Sequence, residues 1–118
     1  MLYNLPALED RTIRAVVVCE GPGDTITATR ALRDDEGIVA IGIPGASSWR
    51  DSYSALLTDL AVVIATDKDD AGEQLAHVIT RSAPSARRAE FSAPDLTELA
   101  LEEGLGAVRD SVLREVTR

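Results

Sequence analysis

A single cysteine, Cys19, stands in the whole chain, which excludes an internal disulfide and any cysteine-based zinc site. Aromatic residues make up only 3% of the sequence, so a core must be built from Val, Leu, Ile and Ala. There is one lysine, Lys68, and one histidine, His77; the other bases are arginines. With 20 acidic residues against 12 basic ones, the formal net charge is −8. Such a surface opposes adhesion to phosphate backbones, whose binding is carried by Lys and Arg. Action on nucleic acid would therefore require metal ions, a local arginine patch or a basic partner. No apolar run approaches the roughly 20 residues of a membrane span, and no signal-peptide pattern precedes the first strand. No membrane role is expected, and a cytoplasmic location fits. Repeats and low-complexity tracts are also absent.

What is present is a soluble composition, 45% hydrophobic and 27% charged over 118 residues, the size of one domain. Two short apolar runs organise it, each ending in acid: Ala15-Val16-Val17-Val18-Cys19-Glu20-Gly21 and Ala61-Val62-Val63-Ile64-Ala65-Thr66-Asp67-Lys68-Asp69. Consecutive, largely β-branched and too short for helices, they read as strands buried on both faces. A helical pattern follows each, as expected where parallel strands are joined by crossovers. In open α/β sheets ligands gather at the carboxyl ends of strands. Glu20, Asp67 and Asp69 should meet there, and three converging carboxylates call for a hard cation with oxygen ligands.

In order along the chain, residues 1–13 form a lead-in segment leaning on a domain that runs from 14 to 118. Strand one is expected over 13–19. Gly21-Pro22-Gly23 reads as a tight loop, with Asp24 as N-cap of a helix to about residue 33. Strand two is 38–43, ended by Pro44-Gly45. Ser48-Trp49-Arg50-Asp51 has capping-box spacing and should open a short helix to about Leu57. After the Asp67 strand, Asp70-Ala71-Gly72-Glu73 is a second capping-box pattern, opening a helix that Pro84 ends. A shorter fourth strand at 87–91 lies nearer an edge. Asp95-Leu96-Thr97-Glu98 starts another helix, Gly104 or Gly106 interrupts it, and 107–116 is the last. The alternation predicts a mostly parallel four-stranded sheet with helices on both faces, a Rossmann-like α/β fold.

Glu20-Gly21 closing the first strand, Asp24 in the next helix, and Asp67-Lys68-Asp69-Asp70-Ala71-Gly72 closing a later strand together resemble the Toprim domain. That domain is shared by DNA primases, topoisomerases, OLD-type nucleases, ribosomal-RNA maturation nucleases and recombination mediators. The resemblance covers nearly all of the chain and leans toward phage and bacterial primases of the primase-helicase type. Leu2-Tyr3-Asn4-Leu5-Pro6 is similar to the lead-in before their Toprim domain, and Ile43-Pro44-Gly45-Ala46 to the segment after their second strand. Asp67-x-Asp69-x-Ala71-Gly72 matches their Asp-x-Asp-x-Ala-Gly form, and the helix from Asp95 resembles their closing Asp-x-x-Glu helix. One departure is Pro94, where the family often has lysine.

The resemblance implies Mg²⁺ or Mn²⁺ on Asp67 and Asp69, with Glu20 as a further metal ligand or an acid-base group. It implies nucleotidyl transfer that makes RNA primers on a single-stranded DNA template, alongside a helicase. Neither a cysteine-rich zinc module nor a basic nucleotide-holding subdomain precedes the Toprim-like region. The expectation is thus a primase fragment, or a split primase whose basic half is a separate polypeptide. The residues support the chemistry independently, because phosphoryl transfer depends on positioning and charge neutralisation. Asp67 and Asp69, two apart, would share a face of a regular strand and reach one metal.

The same acids would serve a metal-dependent nuclease, and the fold also occurs as a non-catalytic interaction module. Topoisomerase activity is discounted for want of strand-passing domains. Gly21, Asp24 and Asp70 are candidates on the nucleotide or phosphate side of the site, although Gly-Pro-Gly is commonly a turn and Asp24, Asp70 and Asp95 have N-cap positions. Arg81, Arg87 and Arg88 could grip a nucleic-acid backbone or be a solvated cluster. Cys19 reads as core filler, His77 as a surface or satisfied histidine, and Trp49 as packing on the sheet.

Overall fold

The computed structural model describes residues 12–116 together with Asn4 and Leu8. Most of the expected lead-in therefore lies outside the described residues. Asn4 Nδ2 donates to the Ala40 carbonyl at 2.8 Å, and Leu8 leans on the core.

The strands are β1 (Ala15–Glu20), β2 (Ile38–Ile43), β3 (Ala61–Ala65) and β4 (Arg87–Arg88). They form one sheet in the order β2-β1-β3-β4, and every pairing is parallel. The expected fourth strand shortens to two residues because, at the sheet edge, it pairs only through Val63↔Arg87 and Ile64↔Arg88. The helices are α1 (Gly21–Ala31), α2 (Asp70–Ser82), α3 (Leu96–Glu103) and α4 (Leu105–Val116). None among the described residues is long and apolar enough to cross a membrane.

Strand side chains alternate between two separate cores, since successive residues point to opposite faces. Ala15, Val17, Cys19, Val63 and Ala65 pack against Ala28 of α1, Leu96 and Leu99 of α3, and Val108 and Val112 of α4. Val16, Val18, Ile41, Ile43 and Ile64 pack against Leu75 and Ile79 of α2, with Trp49 and Leu57. Helices on both faces explain why the strands are continuous apolar runs. Each fully buried aliphatic side chain contributes roughly 1.5–3 kcal/mol, so the sheet rests on Val and Ile in place of aromatics.

Three local expectations are corrected. The Gly21-Pro22-Gly23 segment is the first turn of α1, without an intervening loop. Gly21 adopts φ 75°, a value only glycine takes readily, and Pro22 suits a first helical turn. The segment after β2 is not a capped α-helix but two 3₁₀ stretches, Ala46–Ser48 and Asp51–Leu57, with no side-chain cap. It is held by Trp49, buried, whose Nε1 donates to Ser82 Oγ at 2.8 Å and whose ring meets Tyr53 edge-on. Finally, α2 is capped by Asp69 rather than Asp70: Asp69 Oδ1 accepts the Gly72 amide at 2.7 Å, leaving Asp70 exposed at the first helical position.

Candidate metal centre

The chain enters the sheet at β1, adds β2 on one side and crosses to place β3 on the other. Connections therefore leave the carboxyl ends of β1 and β3 in opposite directions, opening a crevice between them. Glu20 ends β1 on that crevice, and Asp67 follows β3 across from it.

Carboxylate oxygens of Glu20, Asp67 and Asp69 lie within 4.8 Å of one another, and a second group, Asp24, Asp67 and Asp95, meets the same criterion through Asp67. Glu20 is the N-terminal cap position of α1 but makes no side-chain cap bond, which leaves its carboxylate to the crevice. Glu20 Oε1 and Asp67 Oδ1 are buried with no hydrogen-bond partner among the described residues. Such orphaned acceptors are costly unless something outside the chain satisfies them. A divalent cation with oxygen ligands suits both the orphaned oxygens and the all-carboxylate donor set. Removal from water pushes the Asp67 carboxyl up to about 7, with further upward pressure from Glu20, then Asp24 and Asp95. Glu20 is also raised, by burial first; the Asp67 backbone amide opposes this, while Asp69 and Asp24 add to it. Two acids held above their ordinary range at one sheet edge make it a candidate functional site.

The aspartates do not reach the crevice in the way their spacing suggests. β3 stops at Ala65, so Asp67 and Asp69 lie on a loop, and strand alternation does not set their directions. The loop is shaped by three contacts. Thr66 Oγ1, buried, donates to the Gly72 carbonyl at 2.9 Å; Asp69 caps the Gly72 amide; and the Lys68 amide donates to the Pro94 carbonyl at 2.8 Å. Gly72 is pressed against the Asp67 backbone so closely that a Cβ there would overlap the Asp67 carbonyl oxygen and lie 2.7 Å from its carbon.

Asp24 is not the helix cap its position suggests. It is buried in the first turn of α1, where Oδ1 accepts both the Thr97 hydroxyl at 2.6 Å and the Thr97 amide at 3.1 Å. Thr27 Oγ1 lies 3.1 Å from the Thr97 hydroxyl, which ties α1 to α3. Asp95 caps α3 as expected, with Oδ1 accepting the Glu98 amide at 2.8 Å. The sequence reading places Asp24 on the nucleotide or phosphate side of the site and Asp95 as a cap, where the structure brings both within reach of Asp67, and it does not find Thr66 and Thr97 as supports. The sequence signals are Asp24 in the Toprim-like pattern and the Asp-x-x-Glu pattern at the start of α3; Thr66 and Thr97 have none.

Gly21 has open space on the side a Cβ would occupy. The arginines divide. Arg88 Nη1 holds Glu73 Oε2 at 2.6 Å and its Nη2 reaches the Asp67 carbonyl at 3.4 Å, so it braces the aspartate loop. Arg87 is exposed on β4, and Arg81 lies in the last turn of α2, the end opposite Asp70. Cys19 is fully buried, and burial, then the Asp24 and Asp67 charges, push its thiol up; it is core. His77 is exposed.

No protein-family model matches the chain. Gene 57 protein of Mycobacterium phage D29 is 30% identical over 113 residues, covering 94% of this chain and 70% of that protein. A small TOPRIM domain protein from Bacillus stearothermophilus superposes with a TM-score of 0.70 at 21% identity, over 88% of this chain and 86% of the other. The primase fragment of the bacteriophage T7 primase-helicase gives 0.69 at 20% identity, over 93% of this chain and 46% of that one. A chain from the T7 lagging-strand DNA polymerase complex with primase domains bound to an RNA/DNA hybrid and dTTP gives 0.68 at 19%, over 89% and 56%. This chain thus spans about half the length of the T7 chains, and at these identities the likeness is one of fold. The protein has the Toprim fold and belongs to the family of the phage D29 Gene 57 protein.

Proposed function

We propose that this chain is the metal-binding catalytic domain of a DNA primase, acting with a basic, template-holding polypeptide or region. The observation that carries this reading is the Glu20–Asp67–Asp69 group at the β1/β3 crevice, with two buried carboxylate oxygens that no group among the described residues satisfies. Asp67 and Asp69 would hold Mg²⁺ or Mn²⁺, with Asp24 and Asp95 beside them. The ion supplies charge neutralisation and orientation to the substrate phosphates. Glu20, whose carboxyl burial raises above its ordinary value, accepts the proton of a ribonucleotide 3′-hydroxyl. The hydroxyl oxygen bonds to the α-phosphorus of the next nucleoside triphosphate, and pyrophosphate leaves. Helicase and single-stranded template are the partners this reading assigns.

The net charge of −8 supports the need for a basic half. The test is primer synthesis from labelled ribonucleotides on single-stranded DNA with Mg²⁺, with and without a basic zinc-motif polypeptide encoded beside this chain. Primers only in the mixture, lost with Asp67→Asn, support the reading; full synthesis by this chain alone overturns the split arrangement.

A metal-dependent nuclease is the second reading, since the same group of carboxylates would serve with water in place of the 3′-hydroxyl as nucleophile. Cleavage of a labelled strand with no nucleotides present would decide for it. No cleavage and no synthesis, with Mn²⁺ failing to bind, would leave an interaction module.

A further inference from the structure

Lys68, the chain's one lysine, stands between the two aspartates of the metal centre, yet it forms no ion pair among the described residues. Its Nζ lies over the Phe91 ring, 4.8 Å from the centroid. Both side chains line a cleft of about 700 Å³ together with Thr66, Glu73, Arg88 and Glu90. The cleft adjoins the metal centre, since Thr66 precedes Asp67 in the loop and Arg88 touches the Asp67 carbonyl. Arg88 is engaged by Glu73 at 2.6 Å, so Lys68 is the cation left for a ligand.

We infer that this cleft seats a nucleoside 5′-phosphate, with its base on the Phe91 ring and its phosphate on the Lys68 ammonium. A cation over an aromatic ring at an exposed site is held more weakly than by a charge-assisted bond to phosphate. On binding, the ammonium leaves the ring for the phosphate and the base takes its place on the exposed ring face. Stacking of this kind tolerates any base, since every base has a π-face. The cleft volume lies within the range of small-molecule sites, about 300–1,000 Å³. The inference rests on the reading that the acids handle nucleotides, and adds the subsite that holds one beside them. The nucleotide is either a free triphosphate or a residue of a single strand.

The test is calorimetry of three titrants into wild type, Lys68→Met and Phe91→Leu: ATP, with Mg²⁺ and again with EDTA; a short single-stranded DNA; and Mn²⁺ alone. Phe91→Leu keeps an apolar side chain against the core, and a Phe91→Trp variant reports stacking through quenching of its fluorescence. Both substitutions should weaken ATP by about tenfold or more while the Mn²⁺ heat stays as in wild type. Weakening of ATP alone identifies a free nucleotide; weakening of the DNA as well identifies a strand. Wild-type affinity in both variants, or no nucleotide binding by wild type, overturns the inference. Loss of the Mn²⁺ heat in wild type counts against the catalytic reading instead, because the EDTA arm judges the cleft without metal.

Discussion

Asp67 is where the chain's charges conflict most directly. Its carboxyl is raised to about 7 by burial and by Glu20, Asp24 and Asp95, so the folded protein holds a proton that the unfolded chain releases near the ordinary carboxyl value of 3.8. Between these values the native state binds more protons than the unfolded one, and stability falls as pH rises. Glu20, also raised, acts in the same direction. Asp35, lowered by Arg109, has the opposite sign, but its contribution is lost only as pH falls below the usual carboxylate range. Metal-free protein should therefore lose melting temperature from about pH 4 to 7, and Asp67→Asn should flatten that slope and raise stability at pH 8. Thermal melts in EDTA across this range are the check; a slope unchanged in Asp67→Asn would contradict the assignment. Gly72 makes the second prediction at this scale. Alanine in a helix normally gains up to about 1 kcal/mol over glycine, but here its Cβ overlaps the Asp67 carbonyl. The overlap wins: Gly72→Ala should destabilise by roughly 1–3 kcal/mol in urea melts and weaken metal binding by moving the loop.

At the scale of elements, three helix starts, those of α1, α2 and α3, converge on the crevice. Their N-termini carry partial positive charge, which favours the carboxylates gathered there. Asp95 caps α3 and also lies in the acid cluster, and substitution separates the two. Asp95→Ala should cost about 1 kcal/mol through the lost cap of α3, while Asp95→Asn keeps the cap and removes the charge. Urea melts paired with Mn²⁺ titrations are the check: near-wild-type stability with weaker Mn²⁺ affinity in Asp95→Asn places Asp95 in the metal group, and unchanged affinity removes it. The start of α1 was misread because Asp24 has a capping residue's chemistry at a plausible position. The governing fact lies at Gly21, whose positive φ lets the helix begin directly after β1 and leaves Asp24 to be buried against Thr97.

For the whole molecule, folding drives like charges together at one sheet edge, and a bound cation should repay that cost. A ligand that binds only the folded state stabilises it by RT ln(1 + [L]/Kd), about 2.7 kcal/mol at a hundredfold excess over Kd. Mn²⁺ should thus raise the melting temperature of wild type, and the rise should vanish in Asp67→Asn combined with Asp69→Asn. An equal rise in that variant would mean that the ion binds elsewhere.

Strand identity, helices on both faces and the gathering of Glu20, Asp67 and Asp69 were legible because buried parallel strands require unbroken apolar runs and because acids at their carboxyl ends share one edge. Periodicity and composition are local, and the sequence by itself determined what is local: two buried strands, the sheet class and the acids at the strand ends. The tertiary structure alone decided that the aspartates sit on a loop closed by Thr66 and Gly72. It also decided that Asp24 and Asp95 join them, and that Lys68 turns away onto Phe91. Those outcomes depend on contacts such as Asp24 with Thr97, 73 residues apart, whose formation is set by helix packing and leaves no periodic trace in the chain.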